Sequence, residues 1–394
     1  MNGIKGMKKQ VIYLDNAATT KMIPEAVKAM VDSMENTFGN PSGMYSVGFQ
    51  SKKSIDEARK KIAETINADP SQIFFTSGGT EGDNWIIKSV AEAFGNKGHH
   101  IITSSIEHKA VLNSCRWLEE HGYEVTYVDP DERGFIHVSD VESAIRSDTI
   151  LVSIMFANNE IGTVQPIQEI AKVCHERHIL LHTDAVQAYA HLPINTGDLA
   201  IDYLTTSSHK FHGPNGIGFA YIRDPKSMRS FIHGGQQECG LRAGTENVAG
   251  IVGFGKACEI ANNYRIQNHS IIEACRKEFA KTLYSEFWNE GMLDMLSFNA
   301  YEQRGKIVNF RVDSVDAQVL LLLLDTKGVC VSAGSACQSR ESKANKTLLA
   351  IGLTEEQARQ SVRVSFSGCN VIDEARVAAR RIVECVQTIQ GLRD

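Results

Sequence analysis

The stretch Ile201-Asp202-Tyr203-Leu204-Thr205-Thr206-Ser207-Ser208-His209-Lys210-Phe211-His212-Gly213-Pro214-Asn215-Gly216 decides how this chain is read. Ile201 to Thr206 is an apolar run of buried-strand length, and Gly213 to Gly216 carries turn chemistry, so Lys210 falls where a strand end meets a loop. Ligand sites in open α/β sheets favour such places. Taken alone, Lys210 is more simply a surface lysine before a turn; the other segments make it a candidate Schiff-base nucleophile.

Upstream, Ile179-Leu180-Leu181-His182-Thr183-Asp184-Ala185-Val186-Gln187 is a second apolar run that ends in a carboxylate. Pyridoxal phosphate works as an electron sink only while its ring nitrogen is protonated, which requires a carboxylate held against it, and Asp184 is placed for that task. A strand-end Asp also commonly caps the next helix. A third run, Ile73-Phe74-Phe75-Thr76, breaks at Ser77-Gly78-Gly79-Thr80-Glu81 before a helical pattern through Trp85, Ile86, Ile87 and Val90. Free amides and the positive dipole end at such a start attract phosphate, although Gly-Gly before Thr-Glu also makes an ordinary cap. Gly250-Ile251-Val252-Gly253-Phe254-Gly255 lacks dinucleotide-binding spacing and reads as close helix packing.

In order along nearly the whole chain, these segments resemble the cysteine desulfurases, a group of class V, fold-type I pyridoxal-phosphate enzymes. The matching stretches also include Tyr13-Leu14-Asp15-Asn16-Ala17-Ala18-Thr19-Thr20, Gly39-Asn40-Pro41-Ser42, Glu107-His108-Lys109-Ala110-Val111, Asn158-Asn159-Glu160-Ile161-Gly162, Arg242-Ala243-Gly244-Thr245-Glu246-Asn247 and Ser335-Ala336-Cys337. The resemblance implies that Lys210 holds the cofactor and moves the Cα proton. It places His108 over the pyridine face, Asp184 at the ring nitrogen and Gln187 at the ring oxygen. Gly79, Thr80, Ser207 and His209 would hold the phosphate, with Thr245 reaching the neighbouring subunit's site in a homodimer. Asn159 and Arg363 would hold the substrate carboxylate, a task suited to a guanidinium fork. On local sequence alone, His108 is equally a cap for the helix after it, and Arg363 a strand-edge partner for a surface carboxylate.

Cys337 lies in the polar run Ser332 to Lys346, whose composition suggests a loop. The resemblance makes it the thiolate that takes sulfur from L-cysteine, leaving L-alanine and an enzyme persulfide. Its form points to the long-loop group, which supplies iron-sulfur scaffolds or tRNA-thiolation enzymes. Cys115, Cys174, Cys258, Cys275 and Cys385, mostly in helical patterns, read as buried and inert. A selenocysteine lyase, another class V eliminating enzyme or an inactive docking scaffold are the rival readings. Tyr45, where the family often has histidine, and Gln236 and Cys239 depart from the family pattern. Cys239 reads more simply as a tolerated surface substitution than as a second thiol near the dimer interface.

Composition agrees with a soluble, cytoplasmic enzyme. The chain has 394 residues, 42% hydrophobic and 22% charged. It offers no run near the roughly 18 apolar residues of a spanning helix, and Met1 to Gln10 lacks a signal-peptide core. Nine cysteines without CxxC pairs fit a reducing compartment. A net charge of −6 with dispersed basic residues argues against direct nucleic-acid binding. Cys174-His175-Glu176-Arg177-His178 has no second cluster at zinc spacing, so no metal is expected. The alternation of apolar runs and helical patterns from Ile73 to Ile222 indicates a mostly parallel sheet flanked by helices. The expected organisation is a large cofactor domain over 15–263, with a seven-stranded, mostly parallel sheet as the resemblance implies. A smaller α+β domain of 1–14 and 264–394 would carry the Cys337 loop.

Overall fold

The computed structural model describes residues 11–300, 305–333 and 345–392. In chain order, β1 (Ile12–Tyr13) precedes α1 (Pro24–Asn36), α2 (Ser46–Thr65), β2 (Ile73–Thr76), α3 (Gly79–Phe94), β3 (His100–Ser104), α4 (Lys109–Glu119), β4 (Glu124–Val128), α5 (Val138–Ala144), β5 (Thr149–Ser153), α6 (Ile167–Glu176), β6 (Leu180–Asp184), α7 (Thr196–Leu199), β7 (Tyr203–Thr205) and β8 (Gly218–Ile222). Then come α8 (Val248–Asn263), α9 (Arg265–Asn289), β9 (Leu296–Asn299), β10 (Ile307–Val312), α10 (Ala317–Thr326), β11 (Val329–Cys330), α11 (Lys346–Ala350), α12 (Glu355–Arg359), β12 (Ser361–Ser365) and α13 (Ile372–Gly391). Two compact units emerge: Thr19–Asn159 with Thr163–Ile266, and the remainder, to which Glu160–Gly162 belongs.

The larger unit is built on a seven-stranded sheet in the order β2-β8-β7-β6-β5-β3-β4. Only β8 runs against its neighbours; the β7-β6-β5-β3-β4 pairs are parallel. Strands covered on both faces are apolar along much of their length, which is why Ile101, Ile102, Leu151, Val152 and Leu181 are buried. Because β8 reverses direction between β2 and β7, β2 points the same way as the parallel strands. The carboxyl ends of β2, β3, β6 and β7 therefore share one edge, and each leads directly into a segment singled out by the sequence.

The glycines of α8 serve packing, as their spacing predicts. A Cβ on Gly253 would stand 2.4 Å from Met30 Cγ of α1, and one on Gly255 2.8 Å from Ala58 Cβ of α2. The smaller unit holds the antiparallel sheet β12-β10-β9 and the parallel ribbon β1-β11. Its core joins Phe279 of α9, Phe310 of β10, Phe366, and Ile382 and Val386 of α13. Among the described residues, no helix is long and apolar enough to cross a membrane.

Candidate active site

The turn from β2 into α3 has the features of an anion cradle. Gly78 adopts φ +145°, a conformation closed to ordinary side chains, and a Cβ there would lie 3.3 Å from Ser207 Oγ. A bare glycine thus keeps open the space between the start of α3 and the hydroxyl beyond β7. Gly78 supplies no side-chain cap, so the first-turn amides of α3 remain available to an anion. Glu81 does not occupy that space: its carboxylate accepts from Ser77 N and is paired with Arg242.

Asp184 ends β6 with its carboxylate buried, accepting from Val186 N at 2.9 Å. Burial raises its pKa, opposed by the His108 ring, the Val186 amide and Lys210. His108 accepts from Ala110 N at the start of α4, so the capping reading holds. The same ring comes close to Asp184: single ligand atoms of Asp83, His108 and Asp184 all lie within 4.8 Å of one another. Desolvation, with Lys210 and Lys109, holds the His108 pKa below its ordinary value, against the pull of Asp184. Glu107, immediately before it, is buried and accepts from Ser104 Oγ and Met155 N; burial pushes its pKa up to about 8.

Lys210 closes a single 3-10 turn, Ser208–Lys210, directly after β7, and its carbonyl lies 3.2 Å from His191 Nε2. Ser207 is buried, and His209 Nδ1 is 3.1 Å from Thr19 Oγ1. Gln187 is also buried, and Asn159 is half-buried just past the end of β5. A molecule with a phosphate arm at the start of α3 and a pyridine nitrogen at Asp184 would meet suitable groups here.

Arg363 is buried on β12 of the smaller unit, with Nη1 on Glu160 Oε1 at 3.1 Å and Nη2 on Asp15 Oδ1 at 3.0 Å. The pairing expected of a strand-edge arginine is therefore present, but with two carboxylates and away from solvent. Thr245 is exposed in the segment before α8. Cys337 and its polar run through Ala344 lie outside the described residues.

Several features escaped the sequence reading. Asp83 and His182 are buried beside Asp184, and only the i, i+2 spacing of His182 and Asp184 hinted at a shared face. At the Gln236 departure, Glu238 and Cys239 take left-handed conformations, φ +47° and +58°. This turns Glu238 inward to a bidentate pair with Arg59 and to Phe75 N, while Cys239 is exposed. The five helical cysteines are buried as expected, and burial raises the pKa of each thiol.

The aminotransferase class-V family matches residues 12–376. A cysteine desulfurase IscS of Methanosarcina thermophila is 43% identical over 389 residues, covering 98% of this chain and 94% of that protein. Among solved structures, a NifS-like protein superposes with a TM-score of 0.88 at 35% identity, covering 96% of this chain and 100% of that one. A structure described as SspA in complex with cysteine gives a TM-score of 0.78 at 36% identity, over 91% and 99% of the two chains. The chain thus belongs to the aminotransferase class-V family and, within it, to the cysteine desulfurases.

Proposed function

We infer that this chain is a pyridoxal-phosphate-dependent cysteine desulfurase, converting L-cysteine to L-alanine and passing the sulfur on as an enzyme-bound persulfide. The observation that carries this is the buried Asp184 carboxylate at the end of β6, beside the His108 ring and within the field of Lys210. When bound, the cofactor supplies the sink for electrons released at the substrate Cα. We assign its phosphate to Gly79, Thr80, Ser207 and His209, its ring nitrogen to Asp184, its ring oxygen to Gln187 and its face to His108.

Asn159 and Arg363 orient the substrate carboxylate, and Lys210 Nζ takes the Cα proton as general base. The Cys337 thiolate then attacks the substrate sulfur: the S–S bond forms, the Cβ–S bond breaks with its electron pair left on Cβ, Cβ is protonated, and Lys210 Nζ returns a proton to Cα to give alanine. No external oxidant enters. The sulfur acceptor is a protein of iron-sulfur assembly or tRNA thiolation, in the cytoplasm. We assign 15–263 as the cofactor domain and 1–14 with 264–394 as the part that carries the cysteine loop, although 15–18 and Glu160–Gly162 belong to the smaller compact unit and 264–266 to the larger.

The enzyme works as a homodimer in which Thr245 of one copy completes the phosphate site of the other. Support comes from an exposed apolar stripe, Val27, Val31 and Met34 on α1, and from the exposure of Phe38, Met44 and Phe49 in the segment that follows it in the chain. Patches of this kind mark association surfaces. Met34→Asp with Phe38→Asp should give monomers in sedimentation; a dimer unchanged by both would remove this surface. The decisive assay is alanine release from L-cysteine by the cofactor-loaded protein. Loaded protein that forms neither alanine nor persulfide is not a desulfurase.

A further inference from the structure

Beneath Asp184 lies a second tier of buried polar groups that the chemistry above does not use. In the register of β6 with β7, Asp184 faces Thr205, and His182 shares its strand face two residues earlier. α3 presses onto this face at Gly82, where an added Cβ would stand 2.7 Å from Thr205 Cγ2. That close approach drives the next residue, Asp83, into the sheet, where it is 1% exposed. Asp83 Oδ1 accepts from Thr205 Oγ1 at 2.5 Å and lies 3.6 Å from His182 Nε2. Asp83 Oδ2 is buried without a hydrogen-bond partner.

Two carboxylates with oxygens within 4.8 Å in a dry site do not both ionise; such a pair holds one proton. The surroundings decide which acid carries it. Asp184 has the Val186 amide, the His108 ring and Lys210 to favour its anion. Asp83 has a single hydroxyl to favour its anion, and faces Asp184 as a negative neighbour. His182 provides no counter-charge: burial pushes its pKa down to about 3, and its Nδ1 is engaged with Ser153 Oγ at 2.8 Å. Burial raises the Asp83 pKa further, in the same direction as the geometry.

We propose that Asp83 is a positioning residue that keeps one proton beneath Asp184, so that Asp184 alone stays ionised toward the cofactor ring nitrogen. This rests on the assignment of Asp184 to that nitrogen. A neutral acid is mimicked in size and charge by an amide, so Asp83→Asn should behave as wild type electrically, whereas Asp83→Ala leaves Thr205 without its acceptor and opens space beside Asp184.

The test uses the holoenzyme with two readouts, the pH titration of its visible absorbance and the infrared carbonyl stretch of protonated carboxyl groups. At neutral pH the wild type should show a protonated-carboxyl band that Asp83→Asn lacks; Glu107 contributes equally to both and cancels in the difference. The absorbance midpoint of Asp83→Asn should stay within about 0.3 pH unit of wild type while Asp83→Ala departs further. Were Asp83 an anion, removing its charge would move the titration of Asp184, within 4.8 Å, by about two pH units and the midpoint of the more distant absorbance by about one. A shift of that size in Asp83→Asn, or no band lost from it, overturns the proposal. Asp184→Asn separates the two levels of inference. If it too leaves the absorbance and its titration unaltered, the ring-nitrogen assignment itself is wrong; if it disturbs them while Asp83→Asn gives the overturning result, only the role of Asp83 falls.

Discussion

Replacing Gly82 by alanine tests whether the approach of α3 to the sheet sets the cofactor site. The added Cβ would sit 2.7 Å from Thr205 Cγ2 and 3.2 Å from Thr205 Cβ. Carbon pairs settle at about 3.5–4.0 Å, so the helix must retreat by roughly 1 Å or Thr205 must rotate away from Asp83. Over-packing of this kind costs about 1–3 kcal/mol, while an interior Gly→Ala returns about 1 kcal/mol of helix propensity. The net stability loss is then only about 0–2 kcal/mol. The site suffers more, because α3 carries Gly79 and Thr80 at its start, and a displacement of about 1 Å in such a cradle is expected to weaken cofactor binding by roughly tenfold or more. Titrating pyridoxal phosphate into the apo protein by absorbance, alongside urea denaturation, reads both quantities. A Gly82→Ala protein that binds cofactor as tightly as wild type and gains the full propensity term would refute the close-packing argument.

Cys337→Ala should bind cofactor and L-cysteine with wild-type spectra yet form neither alanine at a useful rate nor a protein persulfide. Activity on L-selenocysteine should persist in part, because the carbon-selenium bond is weaker; wild-type turnover of L-cysteine would make Cys337 a bystander. Arg363→Lys keeps the charge but cannot bridge Asp15 and Glu160 with one planar fork, so kcat/KM for L-cysteine should fall with cofactor binding intact, and unchanged kinetics would remove Arg363 from the site. Glu107 has a folded-state pKa of about 8, above the ordinary 4.5. Its contribution to stability is present below about pH 4.5 and is lost as pH rises through 8, by up to about 1.4 kcal/mol per pH unit. Glu107→Gln should flatten that decline in denaturation curves between pH 5 and 8; parallel curves would mean Glu107 is ionised when folded.

The parallel sheet was legible in the sequence because buried strands such as those at Ile179 to Leu181 and Ile150 to Val152 are unbroken apolar runs, and local hydrophobicity records burial directly. The positions of Lys210, Asp184 and the Gly78-Gly79 start were legible for a related reason: each lies within a few residues of the end of such a run, where the chain leaves the sheet. The sequence could not show that β8 runs antiparallel between β2 and β7, which brings the start of α3 to the same edge as Lys210. Nor could it show that Asp83 and His182 lie against Asp184, or that Glu238 turns inward to Arg59. Those facts depend on strand order, register and the separation of a helix from a sheet. They arise from contacts between residues far apart in the chain, and a side chain's charge state follows the dielectric and neighbours that those contacts create.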